Sequence, residues 1–115
     1  MEAKIYRRVA LRLENDILTG LLREGDQVPS THQVAEKQGI NPATAARGVA
    51  MLTAEGLLSK KRGIGLFVAP GTREAILERR RAAFREGILA EMLAEARLLG
   101  ISRRDLMAMI MAQVV

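Results

Sequence analysis

The sequence predicts a mainly α-helical chain that carries one small β-hairpin. Three observations point there. Apolar residues recur at helical spacing in both the first and last thirds of the chain. Two short β-prone runs between residues 57 and 69 are separated by a glycine-containing tip. Aromatic residues are only 3% while hydrophobic residues reach 49%, so the core must be aliphatic and small, which favours helices over a β-sandwich.

Residues 3–22 read as an amphipathic helix. Ile5, Val9, Leu13, Ile17 and Leu21 recur every four residues, and Arg7, Arg8, Arg12, Glu14 and Asp16 fill the other faces. Glu24-Gly25-Asp26 punctuates its end, and Pro29 sets a rigid entry to the next helix. Ser30 opens that short second helix, with Gln33 three residues on completing a capping box. Val34 and Ala35 point inward, and Gly39 suits the left-handed residue that closes a helix.

A third helix starts at once. Asn41 suits the N-cap and Pro42 the first helical position, where a missing N–H costs nothing. Ala45, Val49 and Leu52 form its expected buried stripe. Asn41, Thr44, Gly48 and Met51 are expected on a different face, with Arg47 between, and Gly56 stops the helix. Residues 57–61 and 66–69 are the strand candidates, joined through Arg62-Gly63-Ile64-Gly65. Thr72 is expected to cap a long helix over 73–99, about 40 Å at 1.5 Å per residue. It ends at Gly100, and Ser102 and Asp105 mark the start of a last helix reaching near 114.

Composition excludes several classes of function. There is no Cys, which removes disulfide scaffolds, thiolate metal sites and thiol nucleophiles. A single His leaves no two-His catalytic pair or His-rich metal centre in one chain. No nucleophile–base constellation accompanies the carboxylates, so the sequence reads as no enzyme, with no cofactor, no metal and no catalytic residue. No apolar run approaches the roughly 20 residues of a membrane span, and the N-terminus carries no signal-peptide core, so a cytoplasmic location is expected. The formal charge is +5, from 18 Lys plus Arg against 13 Asp plus Glu. Residues 1–71 hold ten basic and seven acidic side chains and residues 72–115 hold eight and six, so the excess is nearly even. Position, rather than net charge, must locate a polyanion site.

Two short helices joined around Gly39, with a hairpin after them, make a winged helix-turn-helix over residues 1–71. The second helix of such a pair enters the major groove with its N-terminal residues at base edges. That N-terminus also aims backbone N–H groups at a phosphate. Asn41 and Thr44 stand there with short hydrogen-bonding side chains, and Arg47 is one turn in, within reach of phosphate or guanine. Lys60-Lys61-Arg62 leads into a thin glycine tip that suits the minor groove or its flanking phosphates.

The residues that carry a family resemblance are distributed along the chain. They are Tyr6, Ile17-Leu18, Gly20, Gly25-Asp26, Val28-Pro29-Ser30, Val34-Ala35, Gly39-Ile40-Asn41-Pro42, Thr44, Arg47, Leu52, Glu55-Gly56-Leu57, Arg62-Gly63, Gly65 and Phe67-Val68. Together they resemble the N-terminal domain of GntR-family bacterial transcription regulators over residues 4–69. The short helical remainder is similar to that of the YtrA-like subfamily. The resemblance implies a dimeric repressor with a two-helix dimerisation region, often acting on transporter operons. It places Ser30, Asn41, Thr44, Arg47, Arg62 and Gly63 at positions that commonly face DNA. Thr31, His32 and Lys61 complete the expected interface. Many family members carry Arg where this chain has His32, and a neutral His cannot make the bidentate guanine contact of Arg. Base readout is therefore expected to lean on Thr44, Arg47 and the wing.

Residues 72–115 are expected to hold the subunits together. The long helix is charged in its first half and apolar in its second, and 106–112 is apolar nearly all round, which no monomer surface accommodates. Leu89, Met92, Leu93, Leu99, Leu106, Met107, Met109 and Ile110 are the expected interface, with the Met cluster serving as adaptable packing rather than as a metal site. A two-fold dimer spaces two recognition helices, residues 41–55, with wings 57–69, about 34 Å apart on a pseudo-palindrome. A small-molecule effector has room only between subunits. Arg79-Arg80-Arg81 reads as a solvated or intersubunit ion-pairing face before a second DNA site. His32 and the wing cations also have plain surface readings, the latter as a charged strand edge. The reading is a sequence-specific DNA-binding regulator, most simply a homodimeric repressor. The alternative is a winged-helix protein–protein interaction module without specific DNA binding.

Overall fold

The computed structural model describes residues 2–114. Its elements are α1 (Glu2–Thr19), α2 (Thr31–Gln38), α3 (Pro42–Ala54), β1 (Leu58–Lys61), β2 (Gly65–Val68), α4 (Thr72–Phe84), a π-helical turn (Arg85–Leu89), α5 (Ala90–Leu98) and α6 (Arg103–Gln113). This is the expected mainly helical architecture with a single antiparallel hairpin. The chain divides into two compact units, Met1–Leu77 and Glu78–Val115.

The first unit is built around one aliphatic core. Val9, Ala10, Leu13 and Ile17 of α1 pack with Val34 and Ala35 of α2, Ala45, Val49 and Leu52 of α3, and Leu58 and Val68 of the hairpin. Leu21 departs from the expected stripe and is 68% exposed. The reason is local: Gly20 takes φ 86°, a conformation that ends the helix and turns the next residue off its face.

The caps of the helix-turn-helix form as their residue types dictate. Ser30 Oγ accepts the Gln33 N–H (3.2 Å) and Gln33 Oε1 accepts the Ser30 N–H (2.9 Å), a complete capping box. Gly39 closes α2 at φ 64°. Asn41 Oδ1 accepts the Ala43 N–H (2.8 Å), and Pro42 takes the first helical position.

The buried face of α3 is wider than one stripe because α3 packs against both α1 and α2. Thr44 and Gly48, expected on another face, are buried beside Ala45, Val49 and Leu52. At Gly48 the two helices α1 and α3 nearly touch. A Cβ there would lie 2.6 Å from the Tyr6 carbonyl oxygen and 2.7 Å from Val9 Cβ, so only glycine permits this crossing.

The hairpin pairs Leu58 with Val68, Ser59 with Phe67, Lys60 with Leu66 and Lys61 with Gly65. Gly65 thus belongs to the second strand rather than to the tip, which is Arg62-Gly63-Ile64, with Gly63 at φ 78°. The α1–α2 loop pairs along the other edge of β2. Gly25 N–H donates to the Val68 carbonyl (2.8 Å), Val68 N–H to Asp26 (2.9 Å) and Val28 N–H to Leu66 (2.8 Å). Gln27 Nε2 donates to the Ile64 carbonyl (2.9 Å), which holds the tip. The wing is therefore braced on the segment that delivers the chain into α2.

The start of α4 belongs to this unit. Thr72 does not cap it; its hydroxyl donates to the Leu57 carbonyl (2.8 Å) and is buried, as is Ile76. The cap comes from Glu24, whose carboxylate accepts the N–H groups of Gly71 (2.9 Å) and Arg73 (3.1 Å). These two bonds, the Gly71 one foremost, hold the Glu24 carboxyl below its ordinary value. Arg73 returns a bond to the Leu18 carbonyl at 3.3 Å.

In the second unit, the helix expected over 73–99 is interrupted by the π-helical turn and ends at Leu98. The wider turn adds a residue and so re-registers the apolar face beyond it. Gly87, within the turn, has nothing within 4 Å of a built Cβ. Gly100 (φ 68°) then turns the chain, and Ser102 caps α6 by accepting the Asp105 N–H (3.1 Å), as expected. Among the described residues of this unit only Ala96 is buried.

Candidate nucleic-acid interface

Three stretches of the first unit present exposed donors and cations: the N-terminus of α2, the exposed face of α3, and the hairpin. They are neighbours. One cleft of ≈ 520 Å³ is lined by Gln27, Pro29, Ser30, Thr31 and the wing residues Ile64, Gly65 and Leu66. A second, of ≈ 510 Å³, runs between Ala46, Ala50 and Thr53 of α3 and Lys60 and Leu66 of the wing, with Thr31 at its edge. A strand of phosphates laid across such a surface meets the start of α2 and lysine from the wing.

The residues expected at the interface fall into three groups. Ser30 and Asn41 are exposed, but each commits its side-chain oxygen to a cap, Ser30 to Gln33 and Asn41 to Ala43. They organise the helix starts, and Asn41 keeps its NH₂ donors. Thr31 is half-buried and His32 exposed on the first turn of α2, while Lys61, Arg62 and Gly63 are exposed at the wing. Thr44 stands apart from the others: only 6% of its surface remains accessible, so it does not offer the base contact expected of it. The face of α3 that does remain exposed carries Ala43, Ala46, Arg47 and Ala50. Arg47 is the cation of that face.

Two aromatic residues were not assigned a role by spacing or composition. The Arg47 guanidinium lies over the Tyr6 ring, 4.4 Å from its centroid. The Lys61 ammonium lies over the Phe67 ring at the same 4.4 Å. The sequence marks them by rarity, with one Tyr and two Phe in the whole chain, and by the place of Tyr6 and Phe67 among the residues that carry the family resemblance. Gln27 and Glu24, which brace the wing and α4, lay in a stretch read only as a turn.

The expected subunit interface is all in the second unit. Leu89, Met92 and Leu106 are half-buried, while Leu93, Leu99, Met107, Met109 and Ile110 are exposed by 38 to 64%. Met92, Leu99, Leu106, Met109 and Ile110 line an apolar groove of ≈ 430 Å³ with Ala96 at its floor. Among the described residues, no cluster of His, Cys, Asp or Glu could hold a metal, and no helix is long and apolar enough to cross a membrane.

Comparison with known proteins identifies what carries this surface. The family model described as bacterial regulatory proteins, gntR family, matches residues 5–68. The chain is 24% identical over 102 residues to the HTH-type transcriptional repressor YtrA of Bacillus subtilis, covering 89% of this chain and 78% of that protein. Further curated relatives are matched over only 15 to 34% of their own length. A solved GntR-family structure from Bacteroides thetaiotaomicron superposes with TM-score 0.77 and 30% identity over 94% of both chains. AraR(DBD) in complex with operator ORX1 matches with TM-score 0.52 and 25% identity, over 56% of this chain and 77% of that one.

Proposed function

Since this chain belongs to the gntR family of bacterial regulatory proteins, we propose that it acts in the cytoplasm as a homodimeric repressor that binds a pseudo-palindromic operator. Residues 1–71 form the DNA-binding part, with recognition helix 41–55 in the major groove and wing 57–69 beside it. Residues 72–115 form the dimerisation part. The observation that carries the DNA reading is the surface on which the capped N-terminus of α2, an exposed face of α3 and the cationic wing meet, with Arg47 exposed on α3 next to Ala46 of that surface. The AraR complex supports it, since that relative of the same fold is bound to its operator.

Dimerisation rests on surface chemistry. Leu98, Leu99, Met107, Met109, Ile110, Met111 and Val114 are all more than 40% exposed in a unit with a single buried described residue. So much exposed apolar surface calls for a partner, and a second copy provides one of matching character. A small-molecule effector at this interface would occupy the apolar groove, whose ≈ 430 Å³ falls within the range of ligand pockets. Repression results if the bound dimer excludes polymerase from the promoter.

The test is a titration of the purified chain against the duplex upstream of its own gene and against a scrambled duplex, at salt from about 50 to 200 mM. The proposal expects strong preference for the first and a steep salt dependence from several phosphate contacts. Equal, salt-insensitive affinity for both duplexes would instead favour a protein–protein module.

A further inference from the structure

We propose that Tyr6 and Phe67 are positioning residues of the DNA interface, each ring holding one DNA-contacting cation in its binding orientation. The inference rests on the DNA-binding reading above and extends it to two residues that never touch DNA themselves. The first unit contains two aromatic side chains, and each lies 4.4 Å beneath one of the exposed cations of the interface.

The fold makes both pairings by backbone placement. Arg47 precedes Gly48, the residue at which α3 comes closest to α1 against the Tyr6 carbonyl. That close crossing puts the half-buried Tyr6 ring under the guanidinium. In the hairpin, Lys61 pairs with Gly65, so Phe67 is its diagonal neighbour on the same face of the ladder. Gly65 presents no side chain between them. Both rings are half-buried and fixed by their elements, while both cations are exposed.

A free Arg or Lys side chain samples many rotamers, and binding must stop that motion. A ring under the cation removes part of this cost in advance, and the face of the guanidinium that meets the ring leaves its N–H edge free for base or phosphate. The two sites differ in consequence. Tyr6 orients the cation on the exposed face of α3, so it bears on which base pair is preferred. Phe67 orients a wing lysine suited to phosphate, so it bears on affinity for any sequence.

The experiment is a double-mutant cycle with Tyr6→Leu and Arg47→Ala on a duplex that the parent protein selects from a random-sequence pool. Tyr6→Leu is expected to weaken binding about two- to fivefold in the parent and to have no further effect in Arg47→Ala. It should also flatten preference at the base pair whose preference Arg47→Ala abolishes. Tyr6→Phe keeps the ring and should retain parental affinity; it also serves as the folded reference if Tyr6→Leu melts early. Phe67→Leu should weaken the selected and scrambled duplexes by the same factor. Equal loss from Tyr6→Leu with and without Arg47, or a matching loss in Tyr6→Phe, overturns the positioning role. A parent that selects no sequence overturns the DNA-binding reading itself.

Discussion

Replacing Gly48 with alanine tests the packing that sets the recognition helix on the rest of the domain. The added Cβ would meet the Tyr6 carbonyl oxygen at 2.6 Å and Val9 Cβ and Cγ1 at 2.7 and 2.8 Å. Neither neighbour can yield cheaply. One is helix backbone, and the other belongs to a side chain only 1% exposed. Overpacking of this kind costs about 1–3 kcal/mol, and with backbone as the obstacle the upper end applies. Alanine regains about 1 kcal/mol over glycine in a helix. The net is a loss of about 2 kcal/mol, or roughly 8 °C in melting temperature for a domain of this size. Thermal melts at fixed protein concentration read it directly, since the proposed dimerisation would make the midpoint concentration-dependent. Gly87→Ala, where nothing lies within 4 Å, is the contrast and should be neutral or mildly stabilising. An unchanged or higher melting temperature for Gly48→Ala would refute the close crossing of α1 and α3.

Two further outcomes rest on named contacts. The Glu24 carboxyl is held below its ordinary value of 4.5 by the N–H groups of Gly71 and Arg73. A depressed folded-state pKa stabilises above the unfolded value, and that contribution is lost as pH falls through the folded value. The parent should therefore lose melting temperature on acidification more steeply than Glu24→Gln, and parallel curves would remove Glu24 as the cap of α4. Ile110→Asp places a charge on the apolar groove of α5 and α6. An uncompensated charge buried in the proposed interface costs about 3–5 kcal/mol, so the variant is expected to sediment as a 12.6 kDa monomer and the parent at twice that mass. A variant that stays dimeric would move the interface elsewhere.

What could be read in the sequence was local chemistry. Ser30 with Gln33, Asn41 with Pro42, and Ser102 ahead of Asp105 each announce a helix start, because a cap needs only residues within one turn. Gly39 and Gly63 likewise declare the turns they permit. What escaped reading needed a partner distant in the chain. Thr44 and Gly48 looked like a separate face because one helix period cannot reveal that α3 packs against two helices at once. Leu21 continued a faultless i+4 series, yet Gly20 before it had already ended the helix. The π-helical turn at Arg85–Leu89 shifts the apolar face beyond it by about one residue, an offset too small for periodicity to mark. Glu24 sits 47 residues before the Gly71 N–H it caps. Much of the candidate interface was visible as exposed polar residues and cations, but the rings beneath Arg47 and Lys61 became meaningful only once the crossing at Gly48 and the hairpin register were known.

If α3 reads DNA sequence through its exposed cation, Arg47→Ala should remove the preference for the selected duplex. Fluorescence anisotropy would compare parent and variant on the selected duplex and on a scrambled one, at the same salt. The expected result is a loss of about 1–3 kcal/mol on the selected duplex, roughly five- to 150-fold, with little change on the scrambled one. An equal, small loss on both would make Arg47 a phosphate contact and contradict the role given to α3.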